Sequence, residues 1–403
     1  MSKVKLIPGL FALMRMANTR KERIEQAEAT YCPDPIGEVA KQMHPDFLSL
    51  MVHRVAEEND SVRTYRLVCA GDGISLPVFQ AGQYISVKLS IGQTQTSRAY
   101  TISSAPYEAE GENGYYEITV RKKPGGCVSG YLFDNWKAGT KVYATGPHGD
   151  FYYCPLRDHK DIVALAGGAG ITPFRSMMKQ LAVKEKELTL TLLYGCKDGT
   201  DVLFEKELDA LIEKESGRFR RVNTYETAPQ GECQGYLDAK FINENIQNPQ
   251  NKTFFICGPA IMYEFLRDEF SKVGNLRRKQ LRFEVGGAPD DVTKRKDWPK
   301  EAKAKAVQLT VHIGNLSYDI PAGTTESILA SIERAGLLLD SCCRSGECGI
   351  CRSKLNNGDV FIIPDNDGRR VVDKQLGYIH PCSTYPLSDC SVTIPPPNSV
   401  KNT

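Results

Sequence analysis

Residues 343–351 read CRSGECGIC, and their cysteines, Cys343, Cys348 and Cys351, have the spacing C-x4-C-x2-C. Cys382 follows 31 positions after Cys351. This is the spacing of plant-type [2Fe–2S] sites, in which four thiolates hold two irons. Zinc is the alternative, but structural zinc sites favour two close C-x2-C pairs, and this segment has one. The pattern therefore predicts a [2Fe–2S] cluster held by these four cysteines.

The composition of the whole chain limits the classes of protein to consider. At roughly 100 to 200 residues per domain, 403 residues predict two to four domains. Lys and Arg number 51 and Asp and Glu 49, a net charge of +2, which argues against a disordered chain or one that binds nucleic acid along its length. No apolar run reaches 18 residues and no secretory signal is recognisable, so we expect no membrane span and a reducing, cytoplasmic compartment. In such a compartment clustered thiols are first interpreted as metal ligands.

Residues 1–50 are predicted to form a helical extension. Leu10, Leu13, Met14 and Ala17 follow the i, i+3, i+4, i+7 pattern of one helix face. The first 25 residues carry six basic and two acidic side chains, a net charge of +4. Two interpretations stay open: a helix that packs on its own protein, which is favoured, or one that docks on a partner or an anionic membrane surface.

The pattern of strands and helices changes along the rest of the chain. Residues 51–156 show short alternating strands separated by glycine, which predicts an antiparallel β-barrel. Residues 157–285 alternate apolar strands with helical segments, which predicts a parallel α/β sheet. Residues 286–305 are charged, contain glycine and proline, and have almost nothing to bury, so they are interpreted as a linker. Residues 306–395 begin with a hairpin that turns at Gly314-Asn315 and continue with a helix.

Two glycine-containing turns in the α/β region predict a nucleotide site. Residues 167–173, GGAGITP, lie between an apolar strand and a helix, where glycines let a phosphate approach the backbone. Cys257, Gly258 and Pro259 directly follow another strand, at the edge where open parallel sheets bind ligands. A turn of the first kind is weak evidence alone, since tight turns need glycine anyway, but together the two favour a bound nucleotide.

The barrel region contains a third candidate site. Arg98, Tyr100 and Thr101 lie on or beside a strand, and because alternate residues share a face, Arg98 and Tyr100 are predicted to face one charged aromatic ligand. An ordinary surface strand is the alternative. Downstream, the glycine-containing segment 125–129, GGCVS, enters a predicted helix and is a second candidate phosphate cradle.

In this order, the motifs resemble the ferredoxin–NADP reductase superfamily, specifically its three-domain members, over about residues 52–395. The resemblance implies a multidomain chain: an FAD-binding antiparallel β-barrel at 51–156, an NAD(P)-binding α/β domain with a parallel sheet at 157–285, and an α+β β-grasp ferredoxin domain at 306–395. The 1–50 extension lies outside the resemblance.

The resemblance also implies roles for the residues of the barrel. Arg98 is expected to meet the FAD phosphates, Tyr100 to lie against the isoalloxazine, and Thr101 to sit near flavin N5 as a catalytic residue. The backbone of one short segment is expected to cradle the pyrophosphate, which favours FAD over FMN; its residues are Gly126, Cys127, Val128 and Ser129.

Further roles follow for the α/β domain. The expected nucleotide-binding residues are Gly168, Gly170, Thr172, Gly258 and Pro259. Cys257 is expected to lie near the nicotinamide as a catalytic residue, although a buried structural thiol is the alternative. Glu284 matches an acidic position of the family but lacks the aromatic residue that usually follows it, so a catalytic role for Glu284 is not expected. Lys197 is a candidate for the NADP 2′-phosphate; NADH and NADPH both stay open, with NADH favoured.

These parts together predict an NAD(P)H-dependent oxidoreductase. A nicotinamide gives up two electrons at once and a [2Fe–2S] cluster accepts one, so the flavin is expected to act between them. The leading hypothesis is a reductase component that passes electrons to a partner protein such as an oxygenase, demethylase or hybrid-cluster enzyme. The alternatives are a self-contained reductase of a small molecule and a non-catalytic electron carrier.

Overall fold

The computed structural model describes residues 9–26, 34–43, 45, 47–71, 75–184, 187–215, 217–284, 287, 289, 291–364 and 367–396. The chain divides into two compact units, Met1–Gln42 and Met43–Thr403. The helices are α1 Leu10–Gln26, α2 Pro35–Met43, α3 Cys127–Asn135, α4 Thr172–Val183, α5 Glu205–Lys214, α6 Ala239–Asn245, α7 Ala260–Phe270, α8 Ile328–Arg334 and α9 Val371–Gln375.

The first unit contains the predicted N-terminal helix. In α1 every side chain from residue 12 to 26 is exposed, and Leu13 and Met14 are exposed by 68% and 57%. Among the described residues, no helix combines the length and the apolar character that crossing a bilayer requires.

A six-stranded antiparallel sheet opens the second unit. Its strands are β1 Leu48–Asn59, β2 Val62–Cys69, β3 Tyr84–Ile91, β4 Thr94–Thr101, β5 Tyr116–Arg121 and β6 Lys141–His148, in the order β4-β3-β6-β1-β2-β5. The two edges meet just beyond β4, where Ile102 bridges to Ile118 and the Ser103 N–H donates to Glu117 O at 2.7 Å. Closure of this kind removes unpaired strand edges, and the predicted antiparallel barrel is confirmed.

The next sheet is entirely parallel, as predicted. It consists of β7 Asp161–Gly167, β8 Thr189–Cys196, β9 Phe219–Tyr225, β10 Thr253–Cys257 and β11 Leu281–Phe283, in the order β11-β10-β7-β8-β9. Alternate residues of β7 face opposite sides: Ile162 and Ala164 pack with residues of α4 and α5, and Val163 and Leu165 with residues of α6 and α7. The strand order reverses between β7 and β10, and ligands of open α/β sheets bind at such a switch point.

The C-terminal region forms a mixed sheet with a helix packed on it. The strands β12 Ala306–Ile313, β13 Leu316–Gly323, β14 Ser353–Asn357, β16 Tyr378–Ile379 and β18 Cys390–Ile394 lie in the order β13-β12-β18-β14-β16, and β15 Val360–Ile362 pairs with β17 Thr384–Pro386. The predicted hairpin turn falls at Gly314-Asn315. Ile328 and Ile332 of α8 pack with Leu309 and Val392, which gives the predicted α+β domain its own core.

The expectation that residues 286–305 bury almost nothing is wrong in the described part of this segment. Val292 and Trp298 are buried in one cluster with Phe361 and Tyr385 of the C-terminal domain. On its other side the segment is joined to α7, where Arg295 forms an ion pair with Glu264 at 2.9 Å. The described part therefore contacts both neighbouring domains. Burial of the large Trp298 ring holds it there, although most residues around Trp298 are charged or polar.

Candidate functional site

A cavity of about 1300 Å³ is lined by residues of all three domains of the second unit. It exceeds the roughly 300–1,000 Å³ of a drug-sized ligand site, so it has room for more than one small ligand. Residues of β4, the turn after β7, the end of β10 and the cysteine-rich loop all line it.

Strand β4 presents the residues that the sequence singled out in the barrel. Arg98, Tyr100 and Thr101 all line the cavity. The Arg98 guanidinium donates to Thr96 Oγ1 at 2.6 Å and to Ser97 O at 2.7 Å. Burial, and next the nearby Arg344 charge, lower the pKa of Arg98 to about 10. The strand therefore presents a half-buried cation to the cavity.

The second predicted phosphate cradle lies beside the cavity. Helix α3 begins at Cys127 with Gly126 as its N-cap, and Ser129 Oγ accepts the N–H of Lys123 at 3.0 Å. Lys123 is a lining residue, but among the described lining residues none comes from 126–129. Side-chain contact therefore does not link this segment to the site, although the Cys127 thiol is close enough to affect the pKa of Arg98.

The glycine turn after β7 lines the part of the cavity that the α/β domain forms. Gly168 has φ +52°, a conformation that favours glycine, and α4 begins at Thr172, whose Oγ1 donates to Ala169 O at 3.2 Å. Gly168, Gly170 and Thr172 are all lining residues. A Cβ on Gly170 would lie 2.2 Å from Cys257 O, so this turn packs directly on the end of β10.

The close approach at Gly170 makes a testable prediction. Gly170→Ala should push the turn away from Cys257, destabilise the protein by about 1–3 kcal/mol as overpacking does, and weaken NAD(P)H binding. The matched control is Gly274→Ala, because nothing lies within 4 Å of a Cβ there. Urea unfolding and nucleotide titration of both variants measure the effect; equal behaviour of the two would contradict this packing argument.

Glu284 connects residues of two domains at the cavity wall. The Thr101 hydroxyl donates to Glu284 Oε1, and the Cys257 thiol donates to Glu284 Oε2. The N–H of Gly258 donates to the Tyr263 hydroxyl at 3.2 Å. Thr101 comes from the barrel and Cys257 from the end of β10, so a single carboxyl holds the two residues predicted to be catalytic.

Burial governs the titration of this group. It raises the pKa of Glu284, and the hydrogen bonds from Cys257 and Thr101 oppose that rise only partly. Burial, together with the adjacent Glu284, also raises the pKa of Cys257. The thiol is therefore a neutral hydrogen-bond donor and not a thiolate nucleophile. Glu284 lacks the trailing aromatic residue of the family pattern, so the sequence does not predict a role for it; its position directly after β11 is the signal that could have found it.

The raised pKa of Glu284 predicts how stability depends on pH. The folded state favours the protonated carboxyl, so this contribution is complete below the ordinary glutamate value of 4.5 and is lost as pH rises through the folded pKa. For the cofactor-free protein we expect Glu284→Gln to be more stable than wild type at pH 8 and about equal to it at pH 4. Thermal unfolding at the two pH values measures this; a variant that is less stable than wild type only at pH 8 would contradict it.

Lys197, a candidate for the NADP 2′-phosphate or an ordinary surface lysine, also faces the cavity. Lys197 follows β8, is exposed and lines the cavity. The backbone N–H of Lys197 donates to Asp201 Oδ2 at 3.3 Å, and Asp201 pairs with Arg121 at 2.6 Å. This end of the cavity thus contains charges of both signs.

The four predicted iron ligands come together in the C-terminal domain. Cys351 Sγ lies 3.4 Å from Cys382 Sγ, and Cys343 Sγ accepts the N–H of Cys348 at 3.4 Å. The loop turns through left-handed residues, among them Arg344 with φ +56°, and His380 bonds Gly346 O at 2.5 Å. Three cysteines of a loop that directs an N–H at sulfur, together with Cys382 from outside the loop, fit the donor set of a [2Fe–2S] cluster.

This cysteine loop packs directly against the barrel. Ser97 Oγ donates to Ser341 O at 2.9 Å, and Ser86 Oγ donates to Cys342 O at 3.2 Å. The Tyr84 hydroxyl lies 3.8 Å from Cys342 Sγ, and Tyr84 also lines the cavity. Cys342, outside the spacing pattern, thus contacts the barrel, and Tyr84 contacts Cys342 and also lines the cavity.

Comparisons with known proteins assign each domain. Residues 49–153 match the family described as "Oxidoreductase FAD-binding domain", residues 164–268 "Oxidoreductase NAD-binding domain", and residues 311–387 "2Fe-2S iron-sulfur cluster binding domain". The glycine betaine monooxygenase reductase subunit of Chromohalobacter salexigens is 26% identical over 350 residues, 84% of this chain and 93% of that protein. NADH-cytochrome b5 reductase 1 of Dictyostelium discoideum is 30% identical over 224 residues, 55% of this chain and 75% of that protein. The fold matches that of phthalate dioxygenase reductase with a TM-score of 0.61 and 22% identity, over 87% of this chain and 98% of that one.

Fold and site together define a flavin- and iron–sulfur-dependent oxidoreductase. The chain belongs to the ferredoxin–NADP reductase superfamily, as a three-domain reductase with a C-terminal 2Fe-2S domain. It transfers electrons from NAD(P)H through FAD to a [2Fe–2S] cluster.

Proposed function

We propose that this protein is the reductase component of a multi-component system and passes its electrons to a separate acceptor protein, such as an oxygenase, a demethylase or a hybrid-cluster enzyme. The three modules would occupy residues 51–156, 157–285 and 306–395. FAD supplies the exchange between two-electron and one-electron chemistry, and the residues of this chain position the participants.

The flavin and nucleotide residues are assigned from their places on the cavity wall. Arg98 would hold FAD phosphate, Tyr100 would lie against the ring, and Thr101 would sit near N5. The backbone of 126–129 would support the pyrophosphate from beside the cavity. NAD(P)H would bind across Gly168, Gly170, Thr172, Gly258 and Pro259, with Cys257 at the nicotinamide.

Glu284 is the positioning residue that joins the two halves of this site. Because it accepts from both Thr101 and Cys257, it fixes the barrel wall relative to the end of β10. Orientation of two reactants in one cavity replaces a bimolecular encounter and is worth several kcal/mol of barrier, about 7–11 at best. The neutral thiol and hydroxyl supply oriented donors without adding charge.

One observation supports transfer to a separate protein: an exposed apolar patch beside the cysteine loop, here called the α9 patch. Ile350, Val371, Val372 and Leu376 are exposed by 52%, 73%, 54% and 55%. Helix α9 is held to the loop because Arg352, next to Cys351, donates to Asp373 at 2.7 Å. Exposed apolar groups of this kind mark protein interaction sites, and the exposed Arg370 adds a positive charge at the start of α9.

The test compares a protein acceptor with a small one. With NADH or NADPH under anaerobic conditions, both flavin and cluster of the holoenzyme should bleach. The variant Val371→Asp/Leu376→Asp should then slow reduction of the acidic haem protein cytochrome b5 at least tenfold and leave ferricyanide reduction unchanged. Equal rates for wild type and variant with cytochrome b5 would reject the α9 patch as the exit.

A further inference from the structure

Arg344 belongs to the cysteine loop but reaches the cavity. It directly follows Cys343, and its guanidinium donates to Thr96 Oγ1 of β4 at 3.4 Å. It is one of the residues that line the cavity, and its side chain is only 14% exposed. The C-terminal domain therefore contributes a buried cation to a cavity built mainly by the other two domains.

Two guanidinium groups meet at Thr96. Arg98 donates to the same Oγ1 from the barrel side at 2.6 Å, so two positive charges converge on one neutral hydroxyl. The hydrogen bonds that Arg98 makes within the described chain go to neutral oxygens, Thr96 Oγ1 and Ser97 O. The lowered pKa of Arg98 has the Arg344 charge as its second cause after burial.

The local charge is unbalanced. Glu333 of α8 pairs with Arg344 at 2.5 and 3.0 Å and is 4% exposed. One carboxylate thus faces two guanidinium groups around Thr96. Partly buried cations that lack a matching anion are costly, and arginine pairs suit phosphate because each offers a planar fork of donors.

We propose that Arg344 is a cofactor-binding residue that, together with Arg98, holds the phosphates of FAD, so that the cysteine loop completes the flavin site. The proposal rests on the placement of the flavin phosphates beside Arg98. A pyrophosphate with about two negative charges would satisfy both guanidinium groups.

This arrangement couples two events. The FAD phosphates would tie the barrel to the loop that holds the cluster, so FAD binding would favour the docked position of that loop. By thermodynamic reciprocity, docking of the loop would equally favour FAD binding. The cluster would then be held near the flavin more firmly when the flavin is in place.

The test uses ligands that differ in phosphate. Riboflavin, FMN and FAD are titrated into the flavin-free full-length protein in phosphate-free buffer, and flavin fluorescence gives each Kd. Arg344→Gln should weaken FAD binding at least tenfold and leave riboflavin binding unchanged, whereas Arg344→Lys should retain part of the FAD affinity.

The matched control is Arg352→Gln. The Arg352 guanidinium pairs with Asp373, and Arg352 is not among the described lining residues. The Kd values of this variant for all three flavins should match wild type. Titration with NADH in parallel distinguishes the flavin phosphates from those of the nicotinamide nucleotide: its Kd should not change.

The outcomes separate this inference from the flavin assignment. An unchanged FAD affinity in Arg344→Gln, an equal loss of riboflavin and FAD, or a loss confined to NADH overturns the inference. If Arg98→Gln loses phosphate-dependent affinity while Arg344→Gln does not, only the inference fails; if neither does, the placement of FAD beside Arg98 fails as well. Glu333→Gln removes the competing carboxylate and should tighten FAD but not riboflavin, and this decides the matter if Arg344→Gln does not fold.

Discussion

Cys351→Ala is expected to abolish the [2Fe–2S] cluster. Cys351 is 2% exposed and its Sγ lies 3.4 Å from that of Cys382, so its replacement removes one of the four thiolates from the buried site. The visible circular dichroism and the electron paramagnetic resonance signal of the reduced cluster should be lost. Reduction of protein acceptors should fall to background, whereas ferricyanide, which can take electrons from the flavin, should still be reduced.

Cys390→Ala is the matched control for this prediction. Cys390 lies in the same domain and is 3% exposed, but its thiol donates to Ser388 O at 3.0 Å. It is outside the spacing pattern, and its replacement should leave the spectra and the electron transfer intact. Retention of a full cluster signal in Cys351→Ala, or its loss in Cys390→Ala, would contradict the assignment of ligands.

Arg175→Ala should weaken the contact between the flavin and nucleotide domains and lower the free energy of unfolding. Arg175 of α4 is 8% exposed and donates to Glu117 of β5 at 2.7 Å and to Glu207 of α5 at 2.6 Å. Removing one member of a buried ion pair leaves uncompensated buried charge and costs about 3–5 kcal/mol. We expect about 3 kcal/mol by urea unfolding, the lower end, because Arg66 still pairs with Glu117 and Lys179 with Glu207. Hydride transfer from NAD(P)H to the flavin should slow as well.

An exposed ion pair across the same boundary provides the control. Lys184 and Glu110 lie 2.8 Å apart, with side chains 50% and 55% exposed, and pairs of this kind contribute about 0–1 kcal/mol. Lys184→Ala should therefore change the free energy of unfolding little. Equal losses in Arg175→Ala and Lys184→Ala would contradict the role of burial.

The Arg175 effect should also depend on pH. Burial is the largest single influence and opposes ionisation of Glu117 and Glu207, but the charge and hydrogen bonds of Arg175, together with those of Arg66 or Lys179, lower the pKa of both. A lowered folded pKa gives stability that is present above the ordinary value of 4.5 and is lost as pH falls through the folded pKa. The difference between wild type and Arg175→Ala should therefore be largest at neutral pH and shrink in acid.

Local patterns were sufficient for the modules and their order. The spacing of Cys343, Cys348 and Cys351 identifies the cluster chemistry within nine residues, and the glycine turn at 167–173 lies where strand and helix periodicity predict it. The barrel and the parallel sheet follow from short-range alternation, which is set by the geometry of single strands. Such segments can be predicted without knowing which other part of the chain they pack against.

Contacts between distant residues could not be predicted in this way. Glu284 had to be placed against Thr101, 183 positions away, before it joined the site, and Arg344 meets Thr96 across 248 positions. Trp298 lies in a charged stretch that gives no sign of burial, because the residue it packs against, Phe361, is in a different part of the chain. Residues 126–129 match their motif, yet they lie beside the cavity and not on its wall.

The sequence alone predicted the [2Fe–2S] cluster and a nucleotide site, because metal ligation and phosphate binding need particular side chains at short spacing, and its family resemblance predicted the flavin. Only the tertiary structure decided how the modules meet: which carboxyl joins the flavin wall to the nucleotide wall, which ion pairs are buried between domains, and which arginine the cysteine loop lends to the cavity. The physical reason is that burial and hydrogen bonding between domains depend on distances through space, which residue order does not encode locally.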